Sequence, residues 1–222
     1  MERQERFHPG SLYLVLSETY GRGRGAHAIA RRAIAGGVDV IQMREKDKPA
    51  AELKALGAAL GDLCRESGVI FIVNDDPRLA CELGADGVHM GQEDIAAYGI
   101  EAVRTIVGPG KIIGVSTHSI DQALNALALD IDYLAFGPIF PTRTKNYCIG
   151  AADVCEILAL GSKPVFLIGG IQSSNLDILL EKGATRIALI RDIMEADDVE
   201  KKTRWYKQKL EDQRRALPDT VK

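Results

Sequence analysis

The stretch Ile41-Gln42-Met43-Arg44-Glu45-Lys46-Asp47 decides how this chain is interpreted. A short apolar run precedes it and a helical pattern follows it. Because side chains alternate along a strand, Gln42, Arg44 and Lys46 share one face. A strand end with an amide and two cations on one side predicts a site for an anion, most economically a phosphate or a diphosphate. The alternative is a solvated strand end, with Arg44 paired to a surface glutamate.

Length and composition restrict the class of protein. The chain has 222 residues, 46% of them hydrophobic, which is enough for one domain of the larger kind. A net charge of -3 disfavours a basic nucleic-acid binder, and no apolar run approaches the roughly 18 residues of a membrane span. Residues 1–10 are polar and lack the apolar core of a signal peptide. The four scattered cysteines, Cys64, Cys81, Cys148 and Cys155, indicate reduced thiols in a cytoplasmic protein.

Eight apolar runs alternate with helical patterns along the chain. The predicted strands are 12–16, 38–43, 69–73, 87–90, 111–115, 133–136, 164–168 and 186–190. The predicted helices are 26–35, 50–65, 77–83, 101–107, 120–129, 152–160, 176–181 and 199–210, the last with Trp205 and Leu210 facing inward. This alternation predicts an α/β fold, a single-domain (β/α)8 TIM barrel. An open doubly wound sheet is the alternative, although no Gly-x-Gly-x-x-Gly follows the first strand.

The predicted boundaries are a polar leader over 1–10, the barrel over 11–210 and a frayed tail over 211–222. Active sites of such barrels lie at the carboxyl ends of the strands. Asn74 and Asp75 follow the third strand and Asp94 follows the fourth, so two carboxylates could hold Mg²⁺ together with phosphate oxygens. Capping of the next helix is the alternative role for one residue of 74–76. The neighbouring His89 is interpreted as a structural histidine.

Polar groups also follow the remaining strands. Ser116 comes after the fifth strand, in a segment with no Gly-x-Ser-x-Gly elbow to support a hydrolase. After the sixth strand, Thr142, Arg143, Thr144 and Lys145 form either a loop that closes over phosphate or an exposed basic loop. Gly169-Gly170 after the seventh strand and Ile190-Arg191 after the eighth occupy the usual phosphate site of a barrel.

Six motifs together resemble the thiamine phosphate synthase family, in its order and spacing, over residues 12–194. The motifs are Gln42-Met43-Arg44-Glu45-Lys46, Asn74-Asp75, Gly91-Gln92-Glu93-Asp94, Gly114-Val115-Ser116-Thr117-His118, the loop 136–145 and Ile168-Gly169-Gly170-Ile171. The resemblance implies a transferase of thiamine biosynthesis. It would join 4-amino-2-methyl-5-hydroxymethylpyrimidine diphosphate to a thiazole phosphate and release pyrophosphate. Its partners would be these small molecules; self-association into a homo-oligomer is left open.

The resemblance also implies roles for individual residues. Residues 42–46 and Asn74 would bind the pyrimidine diphosphate, with further contacts from Ser116 and Lys145. Asp75 and Asp94 would hold Mg²⁺, and the thiazole phosphate would contact Thr142, Thr144, Gly170, Ile190 and Arg191. Catalysis would consist of neutralising the leaving diphosphate, chiefly by Arg44, Lys46, Lys145 and Ser116, in a dissociative reaction without a side-chain nucleophile.

Three alternatives remain open at the level of the sequence. A thiazole tautomerase shares the barrel, needs no metal, and would use His118 as its acid–base group. A non-catalytic phosphate-ligand binder would account for Asp76 and Arg191, which depart from the family pattern. An epimerase or isomerase of sugar phosphates would use Gly169-Gly170 but would leave the cationic strand end unused.

Overall fold

The computed structural model describes residues 3–143 and 145–217 and contains a closed, all-parallel barrel of eight strands in sequential order. The strands are β1 Leu12–Leu16, β2 Val40–Met43, β3 Ile70–Asn74, β4 Gly87–Met90, β5 Ile112–Thr117, β6 Tyr133–Phe136, β7 Val165–Ile168 and β8 Ile187–Leu189. β1 pairs with β8, with Leu14 opposite Leu189, and this pairing closes the sheet. The predicted (β/α)8 barrel is confirmed, and the open doubly wound sheet is excluded.

Ten α-helices surround the barrel within the described residues. They are α1 Ala26–Ala35, α2 Ala50–Ser67, α3 Pro77–Glu82, α4 Gln92–Tyr98, α5 Ile100–Val107, α6 Ile120–Leu127, α7 Val154–Ala159, α8 Leu176–Leu180, α9 Arg191–Met194 and α10 Val199–Ala216. The sequence did not predict α4 or α9. Both are short and begin directly after a strand end, so they lack the long apolar periodicity on which the other predictions rested.

Two separate apolar layers follow from the alternation of side chains along the strands. One layer lies between the strands and the helices. The other fills the barrel and consists of Phe7, Tyr13, Val15, Val40, Ile70, Ile72, Ile112, Tyr133, Phe166 and Ala188. Gln42 and His89 are buried polar residues of β2 and β4, only 3% and 6% exposed. The barrel is therefore apolar at its base and becomes polar towards the carboxyl ends of its strands.

Gly114 of β5 is required by the ring of Tyr133. A Cβ atom at Gly114 would lie 2.0 Å from Cζ of Tyr133, far inside van der Waals contact. The ring crosses the interior at this point and stacks at a tilt against Tyr13, with the ring centroids 5.9 Å apart. A glycine in β5 thus creates the space in which two tyrosines meet at the centre of the barrel.

The N-terminal segment closes the base of the barrel, so the predicted leader is in fact part of the domain. Phe7 is only 1% exposed, and its ring lies 4.9 Å from that of Tyr133 and 5.5 Å from that of Phe166. We call residues 3–8 the N-terminal clasp. The sequence suggested a separate leader because a single apolar residue among polar ones shows no periodicity.

The clasp is bound to the barrel by a repeated carboxylate. An aspartate directly precedes β2, β4 and β6, and each one accepts a hydrogen bond from a backbone N–H of the preceding strand: Asp39 from Leu12 at 2.7 Å, Asp86 from Phe71 at 2.8 Å and Asp132 from Ile113 at 2.8 Å. Each also pairs with the clasp, through His8 at 3.4 Å, Arg6 at 2.8 Å and Arg3 at 2.9 Å respectively. Before β8 the residue is Arg186, whose Nε donates to the carbonyl of Phe7 at 3.0 Å.

The C-terminal end of the domain also differs from the prediction. α10 continues six residues past Leu210, because Glu211 and Arg214 pair with each other and Gln213 donates to the carbonyl of Leu180. Leu210 is buried as predicted, but Trp205 is wrong as a core residue, since it is 36% exposed and lies under the ammonium of Lys209. The part of the predicted tail beyond residue 217 lies outside the described residues.

Two further sequence predictions concern the state of the cysteines and the lack of a membrane-spanning segment. All four cysteines are free, and burial raises the pKa of the Cys64 thiol to about 12. Within residues 3–143 and 145–217, no helix has the length and apolar character needed to cross a membrane.

Candidate active site

The ends of β3 and β4 bring the two predicted metal-binding carboxylates into contact. Asp75 follows β3 with φ +64°, an uncommon value for a residue with a side chain, and its N–H donates to the carbonyl of His89 at 2.8 Å. Burial, followed by the adjacent Asp94 carboxylate, raises the pKa of Asp75 to about 6, and the charge of Lys46 opposes this shift. The fold thus holds two like charges together at a partly buried position, beside one cation.

This arrangement fits a divalent cation. Two carboxylates that repel each other in a partly buried position are stabilised by a hard cation that both can ligate. The described residues contain no group of three or more His, Cys, Asp or Glu side chains able to hold a metal ion. A cation at Asp75 and Asp94 would therefore take its other ligands from water and phosphate, as Mg²⁺ commonly does.

Asp76, the second acidic residue of the segment 74–76, has a structural role. Asp76 caps α3, with its Oδ1 accepting from the N–H groups of Arg78 and Leu79, each at 2.9 Å. The predicted cap within 74–76 is confirmed and belongs to Asp76. Asp94 also accepts from the N–H of Gly91 at 3.1 Å, at the start of α4. Asp94 can accept from Gly91 and also ligate a cation, because a carboxylate has two oxygens.

Three of the predicted cations form no close ion pair within the described part of the chain. Among the described residues, no carboxylate lies within 4.0 Å of the charged nitrogens of Arg44, Lys46 or Lys145. The alternative of Arg44 paired to a surface glutamate is therefore wrong for the described part of the chain. Lys46 is close enough to Asp75 to lower the pKa of that carboxyl group. Arg44 is close enough to His89 to help lower the pKa of the imidazole. Lys46 therefore borders the carboxylate pair, and Arg44 borders the centre of the barrel.

Two neighbours in the same stretch are committed to other contacts. The Met43 side chain belongs to the layer under the helices, so it could offer a ligand only its backbone. Glu45 accepts from the N–H of Glu18 at 2.6 Å and from Ser17 at 3.5 Å. Burial, followed by the charge of Glu18, raises the pKa of Glu45. Glu45 therefore fixes the segment after β1, and its contact with substrate stays a prediction.

A chain of buried hydrogen bonds joins the ends of β2 and β5 through the middle of the barrel. Gln42 Nε2 contacts Tyr13 Oη at 2.8 Å, and Tyr13 Oη contacts Tyr133 Oη at 2.8 Å. Tyr133 Oη contacts His89 Nδ1 at 2.9 Å, and His89 Nε2 contacts Ser116 Oγ at 2.8 Å. Burial lowers the pKa of His89 to about 4, so the imidazole is neutral near pH 7. The prediction of a structural histidine is incomplete, because His89 touches a predicted site residue.

The loops after β6, β7 and β8 enclose a cleft of about 1210 Å³. Of the predicted thiazole-phosphate residues, Thr142, Gly170, Ile190 and Arg191 line this cleft; Thr144 lies outside the described residues. The cleft is also lined by polar residues that the sequence did not suggest as ligands: Arg22, Gln172, Ser173, Lys201 and Lys202. Only Gln172 and Ser173 follow a strand closely. The positions of the others could not be inferred from the strand-end rule, by which site residues are sought just after the carboxyl ends of the strands.

Gly170 is fixed by the loop after β6. It has φ +65°, and a Cβ atom there would lie 2.5 Å from the carbonyl oxygens of Phe140 and Pro141. The loop is further joined to β7 where Ile139 N–H donates to the carbonyl of Ile168 at 2.9 Å. A glycine is thus needed for the loop that carries Thr142 and Lys145 to lie against the cleft. Thr142 and Lys145 pair in an antiparallel bridge within that loop.

The side chains of Arg191 and His118 are held by neighbouring groups. Arg191 Nε donates to Glu195 at 2.7 Å, and its guanidinium lies 5.6 Å from the ring centroid of Tyr20. The backbone at Ile190 and Arg191 is thus the part most available to a phosphate. His118 Nδ1 donates to the carbonyl of Gly137 at 2.5 Å.

Comparison with known proteins agrees with this geometry. The family model described as thiamine monophosphate synthase matches residues 12–193. A thiamine-phosphate synthase of Thermus thermophilus is 44% identical over 205 residues, which cover 90% of this chain and 97% of the relative. A thiamine-phosphate synthase of Persephonella marina is 35% identical, over 90% of this chain and 96% of the relative.

Solved structures give the same result. Thiamine phosphate pyrophosphorylase from Pyrococcus furiosus superposes with a TM-score of 0.84 and 34% identity, covering 95% of this chain and 98% of that one. The 3-hexulose-6-phosphate synthase from Salmonella typhimurium has a TM-score of 0.63 and 18% identity, over 91% of this chain and 99% of that one, and shares only the fold. Together, the family model, the curated relatives and the barrel show that this chain belongs to the thiamine monophosphate synthase family, whose members are transferases of thiamine biosynthesis.

Proposed function

We propose that the barrel joins 4-amino-2-methyl-5-hydroxymethylpyrimidine diphosphate to a thiazole phosphate, giving thiamine phosphate and pyrophosphate. The observation that carries the proposal is that one end of the barrel has two places suited to an anion. Asp75 and Asp94 touch beside Lys46 at the ends of β3 and β4, and the glycine-bearing cleft lies after β7 and β8. Two phosphate-bearing substrates need two such sites.

The first site would take the pyrimidine diphosphate. Asp75 and Asp94 would hold Mg²⁺, which when bound would neutralise charge on the diphosphate. Arg44, Lys46 and Lys145 have no carboxylate within 4.0 Å among the described residues, so their charges would be available to the same group. Ser116 and Asn74 would add hydrogen bonds. These groups would stabilise the diphosphate as the bond between carbon and oxygen breaks and the electron pair leaves with pyrophosphate.

The second site would take the thiazole phosphate. Its phosphate would lie against the backbone at Gly170, Ile190 and Arg191, with Thr142 and Thr144 of the neighbouring loop. This position would direct the ring nitrogen to the methylene carbon of the pyrimidine, where the new bond between carbon and nitrogen forms. No side chain needs to act as a nucleophile, and catalysis would rest on charge neutralisation and orientation. A cytoplasmic location, as the cysteines predict, is part of the proposal.

The test is the release of pyrophosphate from purified protein given both substrates, with and without Mg²⁺. We expect metal-dependent release matched mole for mole by thiamine phosphate. Release without thiamine phosphate would point to simple hydrolysis. Absence of both products, with calorimetric binding of the thiazole phosphate intact, would overturn the proposal in favour of a tautomerase or a non-catalytic binder. Proton exchange on the thiazole would then separate those two.

A further inference from the structure

The buried hydrogen-bond chain has a consequence for recognition that goes beyond the two anion sites. Its members are Gln42, Tyr13, Tyr133, His89 and Ser116, joined by four contacts of 2.8–2.9 Å. We infer that this chain runs in one direction, and that Tyr13 and Tyr133 are positioning residues that turn the Gln42 oxygen and the Ser116 proton towards the ligand. The inference rests on the proposed function and specifies the pyrimidine end of the site.

With the Gln42 amide oriented as the structure has it, counting protons along the chain gives one direction. Gln42 Nε2 can only donate, so Tyr13 accepts from it. A buried hydroxyl proton needs an acceptor, so the O–H of Tyr13 points to Tyr133, its other hydrogen-bond partner. Tyr133 then donates to His89 Nδ1. A neutral imidazole with an accepting Nδ1 carries its proton on Nε2, which donates to Ser116 Oγ. The Ser116 hydroxyl proton remains free to donate to a ligand.

The opposite direction satisfies the same heavy-atom positions. A flipped Gln42 amide would accept from Tyr13, every bond would reverse, and Ser116 would donate its proton to His89. Ser116 would then face the ligand only as an acceptor. The ligand side of the site is built for an anion, with Arg44 and Lys46 nearby, and an anion needs donors. The anion therefore selects the direction in which Ser116 donates.

The same direction of the hydrogen-bond chain determines which end of the Gln42 amide faces the ligand. Tyr13 is paired with Val40, one inward-facing position below Gln42 on β2, so the Nε2 end of the amide points down into the barrel. Oε1 is then the end nearer the strand carboxyl ends. The site offers a hydrogen-bond acceptor there and fits a ring substituent that donates, such as an amino group. A carbonyl at that position would meet a second acceptor and be rejected.

The direct test is a substitution that removes one link. Tyr13→Phe keeps the ring but frees the Gln42 amide to turn either way. We would measure kcat/KM for the 4-amino pyrimidine diphosphate and for its 4-oxo analogue. The wild type should prefer the amino compound by at least about 100-fold, and Tyr13→Phe should reduce that preference by about tenfold or more. The kcat/KM for the amino compound should fall by a smaller factor than the ratio of the two kcat/KM values does.

Phe166→Leu is the matched control. Phe166 packs edge-on against both Tyr13 and Tyr133 but makes no hydrogen bond in the chain. It should alter stability and lower both kcat/KM values together, leaving the preference unchanged. If Phe166→Leu reduces the preference as much as Tyr13→Phe does, or if Tyr13→Phe leaves it intact, the inference is overturned.

A second measurement does not depend on turnover. Nitrogen-15 NMR of the histidine side chains, with the His89 signals assigned by their loss in His89→Asn, reports which ring nitrogen carries the proton. We expect the Nε2–H form in the wild type with inorganic pyrophosphate bound. The Nδ1–H form would refute the direction even if the enzyme is active. Conversely, the Nε2–H form in an inactive protein would leave the chain intact and count against the proposed function alone.

Discussion

Among the individual residues, Asp94 combines an observed structural contact with the proposed role of metal ligand. One oxygen accepts from the N–H of Gly91, while the carboxylate also touches Asp75. Asp94→Asn separates the two roles, because the amide oxygen can still accept from Gly91 but the charge is gone. We expect kcat/KM to fall at least about 100-fold while the melting temperature stays within about 2 °C of the wild type.

The measurement for Asp94→Asn is the dependence of the rate on Mg²⁺ concentration, beside a thermal melt. Asp76→Asn is the matched control, since it lies in the same acidic segment but caps α3. It should keep near-normal activity. Near-normal activity of Asp94→Asn at limiting Mg²⁺ would contradict the assignment of the metal to Asp94.

Lys145 and Arg143 are two further residues whose substitution separates the two anion sites. Both lie exposed in the loop after β6, but only Arg143 lines the cleft after β7 and β8. We expect Lys145→Ala to raise the KM for the pyrimidine diphosphate about tenfold or more and to change thiazole phosphate binding little. Arg143→Ala should weaken thiazole phosphate binding and change the KM for the pyrimidine diphosphate little. Calorimetric titration of each ligand gives the comparison, and the opposite pattern would exchange the two assignments.

For the strands and helices, Gly114 shows how β5 and β6 are fitted together. Gly114→Ala would place a methyl group 2.0 Å from the Tyr133 ring, so the ring and its hydroxyl must move. We expect a loss of about 1–3 kcal/mol in the free energy of unfolding, measured by urea denaturation. Gly110→Ala is the control, because nothing lies within 4 Å of its Cβ position and its φ is not positive. Equal stability of the two variants would contradict the close packing described for Tyr133.

For the barrel as a whole, the N-terminal clasp contributes to the core from outside the strands. Phe7→Ala removes a buried ring from the base of the barrel. We expect the free energy of unfolding to fall by about 3–5 kcal/mol in urea denaturation. Tyr98→Ala, which removes a ring that is 43% exposed, should change it by less than about 0.5 kcal/mol. A Phe7→Ala loss as small as that of Tyr98→Ala would mean that the barrel is stable without its clasp.

The clasp also predicts a dependence of stability on pH. The hydrogen bond to Asp39 raises the pKa of His8 above 6.5. Burial opposes ionisation of Asp39, but the hydrogen bonds from His8, Leu12 and Lys207 lower its pKa below 3.8 overall. The His8 contribution is therefore full below pH 6.5, where Asp39 is still ionised, and is lost as the pH rises through the raised value in the folded protein. Because His8 is half exposed, the effect is small.

Urea midpoints of the wild type and of His8→Gln, at about pH 5.5 and about pH 8.5, measure this effect. The difference between the two proteins should be larger at the lower pH. A difference that is the same at both values, or larger at the higher one, would show that His8 does not couple to Asp39 in solution.

The amino-acid sequence was enough to predict the barrel and most of its site. Eight apolar runs alternating with helical patterns were sufficient, because a parallel sheet buried on both faces imposes a local signal on every strand. The strand-end rule also located the carboxylate pair, the cationic strand end and Gly170. The roles assigned to these residues by resemblance stay predictions. The short helices α4 and α9 and the extension of α10 were missed, because short or charged helices leave little periodicity.

Which side chains meet depends on how the chain closes in three dimensions. Phe7 lies in the core and Trp205 does not, because burial of a lone aromatic depends on what faces it across the fold. Tyr13 and Tyr133 are 120 residues apart along the chain yet share a hydrogen bond of 2.8 Å. Neither residue stands at the carboxyl end of its strand, so nothing in the local pattern distinguishes either from any other buried tyrosine. The closure of the sheet brings them together, and with them the chain of hydrogen bonds that links Gln42 to Ser116.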